Sequence, residues 1–154
     1  MNIYIGIDPG ANGAIAFINA IRPDDVLVSV LPVKKTHVSI LASCLEDVGD
    51  KDSFAMIELV HSMPGQGVRS SFNFGVSFGM LEGFIIASGI PYERISPQKW
   101  QKEFGLYRLP DETKTAKKNR HKELAQELFP TLKVTHATAD ALLIAEYARR
   151  IHER

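Results

Sequence analysis

A chain of 154 residues and 17.1 kDa is long enough to bury a core and too short for two ordinary domains, so one domain spanning residues 1–154 is expected. Hydrophobic residues make up 45% and charged residues 23%, with no low-complexity tract, which excludes disordered, collagen-like and coiled-coil classes. Lysine plus arginine and aspartate plus glutamate both total 18, yet residues 1–93 carry five basic against ten acidic side chains and residues 94–133 carry ten against five. An acidic half joined to a basic segment suits a metal-dependent enzyme acting on a polyanion, and it suits a solvated surface helix equally well.

The first elements read as strands. Ile3, Ile5 and Ile7 alternate with Tyr4, Gly6 and Asp8, turn residues follow at 9–13, and 14–19 reads as a second strand, giving a β-hairpin with Asp8 at its corner. A third strand at 26–31 completes an antiparallel meander. Thr36 can cap a helix carrying Val38, Leu41, Leu45 and Val48 at helical spacing, which returns the chain to the sheet. Phe54-Ala55-Met56-Ile57 is continuously apolar, as a strand buried on both faces would be, and Glu58 follows at once.

A turn-rich loop, His61 to Gly67, precedes a predicted helix over about 70–88 that Gly89 stops. Gly75, Gly79 and Gly83 are spaced four apart in it, and each costs roughly 1 kcal/mol against alanine, so another backbone is expected to pack there, within the domain or across a dimer. A short strand at 92–95 leads to Ser96-Pro97, the cap-then-proline order of a helix start, with Trp100 and Phe104 on one face. Residues 114–128 read as helix, but 114–123 offer almost no apolar face and are expected to project into solvent or to order on a ligand. A last helix, about 138–152, turns Ala139, Leu142, Leu143, Tyr147 and Ile151 to the core and places Asp140 in its first turn. The sum is an α/β domain whose sheet mixes antiparallel and parallel pairs.

Three carboxylates carry the chemistry. If the strands ending at Asp8 and Glu58 are parallel neighbours, the two acids lie about 4.8 Å apart laterally at one sheet edge, and Asp140 reaches the same point if the last helix packs there. Oxygen ligands of this kind suit Mg²⁺ or Mn²⁺, and two ions about 3.5–4 Å apart can stabilise the attacking and leaving oxygens in phosphodiester hydrolysis. Each acid also has a plain structural reading: a turn residue before Pro9-Gly10, a solvated strand end, and a helix-dipole partner. His61 could add a ligand, although a hard-cation site seldom needs imidazole.

Ile5-Gly6-Ile7-Asp8-Pro9-Gly10, Ile57-Glu58 and Ala139-Asp140-Ala141-Leu142-Leu143-Ile144-Ala145 resemble, in order, the three acidic motifs of the RuvC family of Holliday-junction resolvases, within the RNase H-like superfamily. Met63-Pro64-Gly65-Gln66-Gly67 and Glu127-Leu128-Phe129-Pro130 are similar to the phage-encoded branch. The resemblance implies an RNase H-like fold: a mixed five-stranded sheet, an antiparallel meander then parallel strands, flanked by helices. It implies a homodimer that binds branched DNA and nicks opposing strands of a four-way junction, leaving 5′-phosphate and 3′-hydroxyl ends. Asp8, Glu58 and Asp140 carry over as ligands of Mg²⁺, two ions per site, with Mn²⁺ able to substitute. Family members place an acid or histidine shortly before the last aspartate; here Ala137 stands three residues earlier and His136 four, so His136 is the candidate fourth ligand or water-orienting group. Lys114, Lys117 and Lys118 match the family's functional lysines, Lys117 best by position.

Lys99, Lys102, Lys114, Lys117, Lys118 and Arg120 are candidate phosphate contacts, with Arg69 beside the loop after Glu58. Phe72 or Phe74 could stack on an unpaired base, or serve as core or dimer packing. The longest apolar stretches fall far short of the roughly 20 residues of a membrane span, and no export or anchoring signal is visible. The lone Cys44 forms no internal disulfide, so the cytoplasm is expected, that of the bacterial host for a phage-encoded protein, with no membrane partner and no nucleotide cofactor. Rival readings are a nuclease for flaps, forks or RNA–DNA hybrids, a nucleotide binder using Asp8–Gly13 as a phosphate loop, and a catalytically silent junction-binding module.

Overall fold

The structure, a computed structural model, describes residues 2–10, 12–22, 25–30, 52–59 and 67–154. The helix expected after Thr36, Cys44, and the loop from His61 through Gln66 lie outside the described residues.

Strands β1 (Ile3–Asp8), β2 (Ala14–Asn19), β3 (Val26–Val30), β4 (Ser53–Glu58) and β5 (Tyr92–Ile95) form one sheet in the order β3-β2-β1-β4-β5. β1 pairs antiparallel with β2 and β2 with β3, whereas β4 is parallel to both β1 and β5. The expected antiparallel meander followed by parallel strands is therefore observed. Among the described residues four helices flank the sheet: α1 (Val68–Ala87), α2 (Pro97–Glu103), α3 (Lys114–Leu128) and α4 (His136–His152).

The alternation of the strands divides the core in two. Ile5, Ile7, Ile15, Phe17, Ala55 and Ile57 face one side and pack with Leu81 and Ile85 of α1. Tyr4, Ala14, Ala16, Ile18, Phe54 and Met56 face the other and pack with Leu142, Leu143 and Ala145 of α4, together with Trp100 of α2 and Ala125 of α3. Gly6 is what lets α4 sit so close to the central strand. A Cβ at Gly6 would fall 2.1 Å from the Ala141 carbonyl oxygen and 2.3 Å from the Ala145 nitrogen, so helix backbone lies directly on strand backbone there.

Helix ends follow local signals. Gly89, at φ 68°, and Gly105, at φ 65°, take the left-handed turn after α1 and α2. Pro97 opens α2 behind Ser96 as expected. Two expectations need correction. α4 begins at His136 rather than near 138, because Thr135 caps it and forms a capping box with Thr138; Asp140 is thus in the second turn, not the first. The first half of α3 does not simply project into solvent, because His121 is buried four residues before Ala125 and eight before Phe129, forming the stripe on which the helix rests.

Candidate active site

Strand parity brings the first two acids together. Ile7 is paired with Ile57 across the parallel β1/β4 ladder, so Asp8 and Glu58, the last residues of their strands, end at the same sheet edge. Alternation also assigns them a face: Asp8 follows Gly6 and Glu58 follows Met56 on the side covered by α4. Asp140 precedes Ala141, whose carbonyl oxygen lies against Gly6 of β1, so the third acid is carried toward the same edge by the close approach of α4 to β1.

Asp140 acts on both Asp8 and Glu58, and Asp8 on Glu58, so the three acids lie within electrostatic reach of one another. Burial pushes Asp8 up to about 6, and Asp140 adds to the rise, against the Gly10 amide and Lys118. Burial pushes Glu58 up to about 7, with Asp8 and Asp140 raising it further, against the Trp100 N–H and Lys117. Asp8 also accepts the Gly10 N–H at 3.0 Å, so its turn role and its place in the cluster coexist.

Two buried rings, neither expected to touch the acids, hold them. Trp100 Nε1 donates to Glu58 Oε1 at 2.8 Å, and His121 Nδ1 lies 2.7 Å from Asp140 Oδ1. Trp100 was legible as a core residue only. His121 lay in a segment that reads as solvated, and its spacing with Ala125 and Phe129 is the signal that could have found it. His136 is exposed, with its ring Nε2 2.8 Å from Asn119 Oδ1, and the imidazole hydrogen-bonded to Asp140 is that of His121.

Among the candidate basic residues, Lys117 is half-buried and donates to Gln101 Oε1 at 3.0 Å, close enough to the acids to lower Glu58. Lys118 is exposed and acts on Asp8. Lys99, Lys102, Lys114 and Arg69 are exposed. Arg120 is engaged internally, donating twice to the Tyr107 carbonyl and pairing with Glu112 at 3.2 Å. Phe72 is exposed, whereas Phe74 is half-buried with its ring centroid 6.3 Å from that of Phe78.

The donor set fits a hard divalent cation in its chemistry: three carboxylates and no thiolate, two of them raised by burial and by neighbouring carboxylates. Among the described residues, no three acids or imidazoles are drawn together as closely as ligands around one ion. Nor does any described helix have the length and apolarity to cross a membrane.

Comparison with solved structures places the fold. A Thermus thermophilus RuvC structure superposes with a TM-score of 0.60 at 15% identity, over 97% of this chain and 96% of that one. T. thermophilus RuvC in complex with a Holliday junction substrate gives a TM-score of 0.63, also at 15% identity, over 98% and 96%. No family model matches the sequence, and no curated protein does. At this identity the likeness shows a RuvC-like, RNase H-like fold.

Proposed function

We propose that the chain is a metal-dependent endonuclease that resolves four-way DNA junctions as a homodimer, by paired symmetric nicks leaving 5′-phosphate and 3′-hydroxyl ends. The observation that carries this reading is the meeting of Asp8, Glu58 and Asp140 at one edge of a RuvC-like sheet, with Lys117 and Lys118 acting on them. A RuvC of this fold has been solved with a Holliday junction substrate, which supports branched DNA as the partner.

Asp8, Glu58 and Asp140 would hold Mg²⁺, two ions per site, with Mn²⁺ as a substitute; such ions supply Lewis acidity and a water activated for in-line attack on phosphorus. The chain's own groups do the rest. Asp8 and Glu58, raised by burial and by neighbouring carboxylates, Asp140 on Asp8 and both Asp8 and Asp140 on Glu58, become full carboxylates when positive charge arrives. Lys117, held by Gln101, is placed to meet a phosphate oxygen beside the acids, and Lys118 offsets Asp8 from the solvent side. His136, at the first position of α4 and bonded to Asn119, is proposed to orient water at the rim. Lys99, Lys102 and Lys114 are exposed for phosphate contacts, and Arg69 and Phe72 in the first turns of α1 face solvent where an unpaired base could stack.

The dimer is proposed to form on α1. Val76, Met80 and Ile86 are exposed along one side of it, and a Cβ at Gly75, Gly79 or Gly83 would meet nothing within 4 Å among the described residues. The glycines therefore serve no close approach inside the described part of the domain, and a second copy is the partner for which the bare stripe is suited. Glu127-Leu128-Phe129-Pro130 at the end of α3 supports placement nearest the phage-encoded branch.

The test is a panel of labelled substrates with Mg²⁺: four-way junction, linear duplex, flap, fork and RNA–DNA hybrid. Preferential paired nicking of the junction is expected; preferential cleavage of a flap or hybrid would move the function and keep the site.

A further inference from the structure

Trp100 and His121 are among the most enclosed residues of the chain, 0% and 4% exposed. Each directs a ring nitrogen at one acid of the cluster, at 2.8 Å to Glu58 Oε1 and 2.7 Å to Asp140 Oδ1. An ionised carboxylate only accepts hydrogen bonds, so His121 Nδ1 carries the proton and donates it. His121 Nε2 has no hydrogen-bond partner among the described residues, which makes the bond to Asp140 the ring's polar anchor. Burying an imidazole for one such bond is unfavourable compared with an apolar side chain of similar size, so packing alone does not account for histidine here. The two rings also touch edge to face, with centroids 5.4 Å apart and planes at 73°. Glu58, Trp100, His121 and Asp140 thus form an unbroken chain of contacts from β4 through α2 and α3 to α4.

We infer that Trp100 and His121 are positioning residues, a bracket of two buried N–H donors that fixes the orientation of Glu58 and Asp140 relative to each other and leaves one oxygen of each carboxylate for a divalent cation. This deepens the proposed function and rests on its assignment of the acids. Partners of this kind hold ligands in place without touching substrate, and their loss typically lowers metal affinity or activity by about 10–100-fold. The same two helices join again beside the site, where Lys117 of α3 donates to Gln101 of α2.

The test compares Trp100→Phe, which keeps a buried ring and removes the N–H, with His121→Leu, which keeps bulk and removes the donor, and His121→Asn, whose amide replaces the Nδ1 donor. Mn²⁺ binding is measured by calorimetry without DNA, junction binding in EDTA, and cleavage in a single turnover. Trp100→Phe and His121→Leu are expected to weaken Mn²⁺ binding and slow cleavage by about 10–100-fold while junction binding in EDTA stays unchanged, and His121→Asn is expected to recover most of both losses. Wild-type Mn²⁺ affinity in Trp100→Phe and His121→Leu overturns the inference, as does an equal loss in His121→Asn and His121→Leu. If Trp100→Phe does not fold, the two His121 variants decide. A wild-type chain that binds Mn²⁺ yet cuts no junction contradicts the nuclease reading, and the Mn²⁺ comparison still decides the bracket; a wild-type chain that binds no Mn²⁺ overturns both.

Discussion

Ile7 and Ile57 are paired across the parallel β1/β4 ladder, and the next residue along each strand is a carboxylate. The pairing register therefore does two things at once: it buries the isoleucines against α1 and sets Asp8 and Glu58 at one edge under α4. A slip of one residue in β4 would turn Glu58 to the α1 side and leave Asp8 without its neighbour.

The metal-free protein should lose stability as pH rises. Asp8 at about 6 and Glu58 at about 7 lie above their ordinary values, so the folded state binds more protons than the unfolded state between about pH 4 and 7. Their contribution is complete below the unfolded values and is lost as pH passes through 6 and 7, amounting to roughly 3 kcal/mol for Glu58. In EDTA, Tm should fall from pH 5 to pH 8, and excess Mg²⁺ should restore it more at pH 8 than at pH 5. A Tm that climbs over this window would contradict the raised values.

Neutral isosteres separate catalysis from folding. Asp8→Asn, Glu58→Gln and Asp140→Asn keep an oxygen that can accept from Gly10, Trp100 and His121 respectively, and they remove the mutual repulsion. Each is expected to abolish cleavage, retain junction binding, and stabilise the metal-free fold at pH 8 by about 0.5–2 kcal/mol, read from urea unfolding.

Glycines in two places should behave oppositely. Gly6→Ala forces a Cβ against the backbone of α4 and is expected to cost about 3 kcal/mol or more in urea unfolding. Gly79→Leu meets open space within the described chain and should leave the fold intact or strengthen α1 by up to about 1 kcal/mol. Under the proposed dimer it also blocks close approach of a second α1, so sedimentation should show monomer where the wild type shows dimer.

The lysines can be weighed by salt. Replacing Lys117 and Lys118 with alanine should weaken junction binding and reduce the slope of log affinity against log salt by about 1–2, because fewer counterions are released. An unchanged slope would place the phosphates on another surface.

Much of this arrangement was legible from residue order. The period-two pattern of β1, the apolar run of β4 and the acids at their ends imply neighbouring strands with a shared carboxylate edge, and the structure has them. What was not legible arises from long-range packing of polar or small residues. His121 reads as part of a solvated helix because imidazole is not counted as a core residue, and it becomes one only when Asp140 lies opposite. Trp100 reads as ordinary core because its one N–H has no visible partner 42 residues back in the chain. α4 starts two residues before its apolar pattern indicates because Thr135 and Thr138 act as a reciprocal pair, a signal weaker in sequence than the usual glutamate at that place.

The role of the carboxylate edge is read most directly from cleavage of a strand-labelled four-way junction with Mg²⁺ by the wild type and Glu58→Gln side by side. Symmetric, religatable nicks in opposing strands are expected for the wild type and none for the variant, although both bind the junction in EDTA. Cleavage by Glu58→Gln at the wild-type rate would contradict the assignment of this carboxylate edge as the reacting centre.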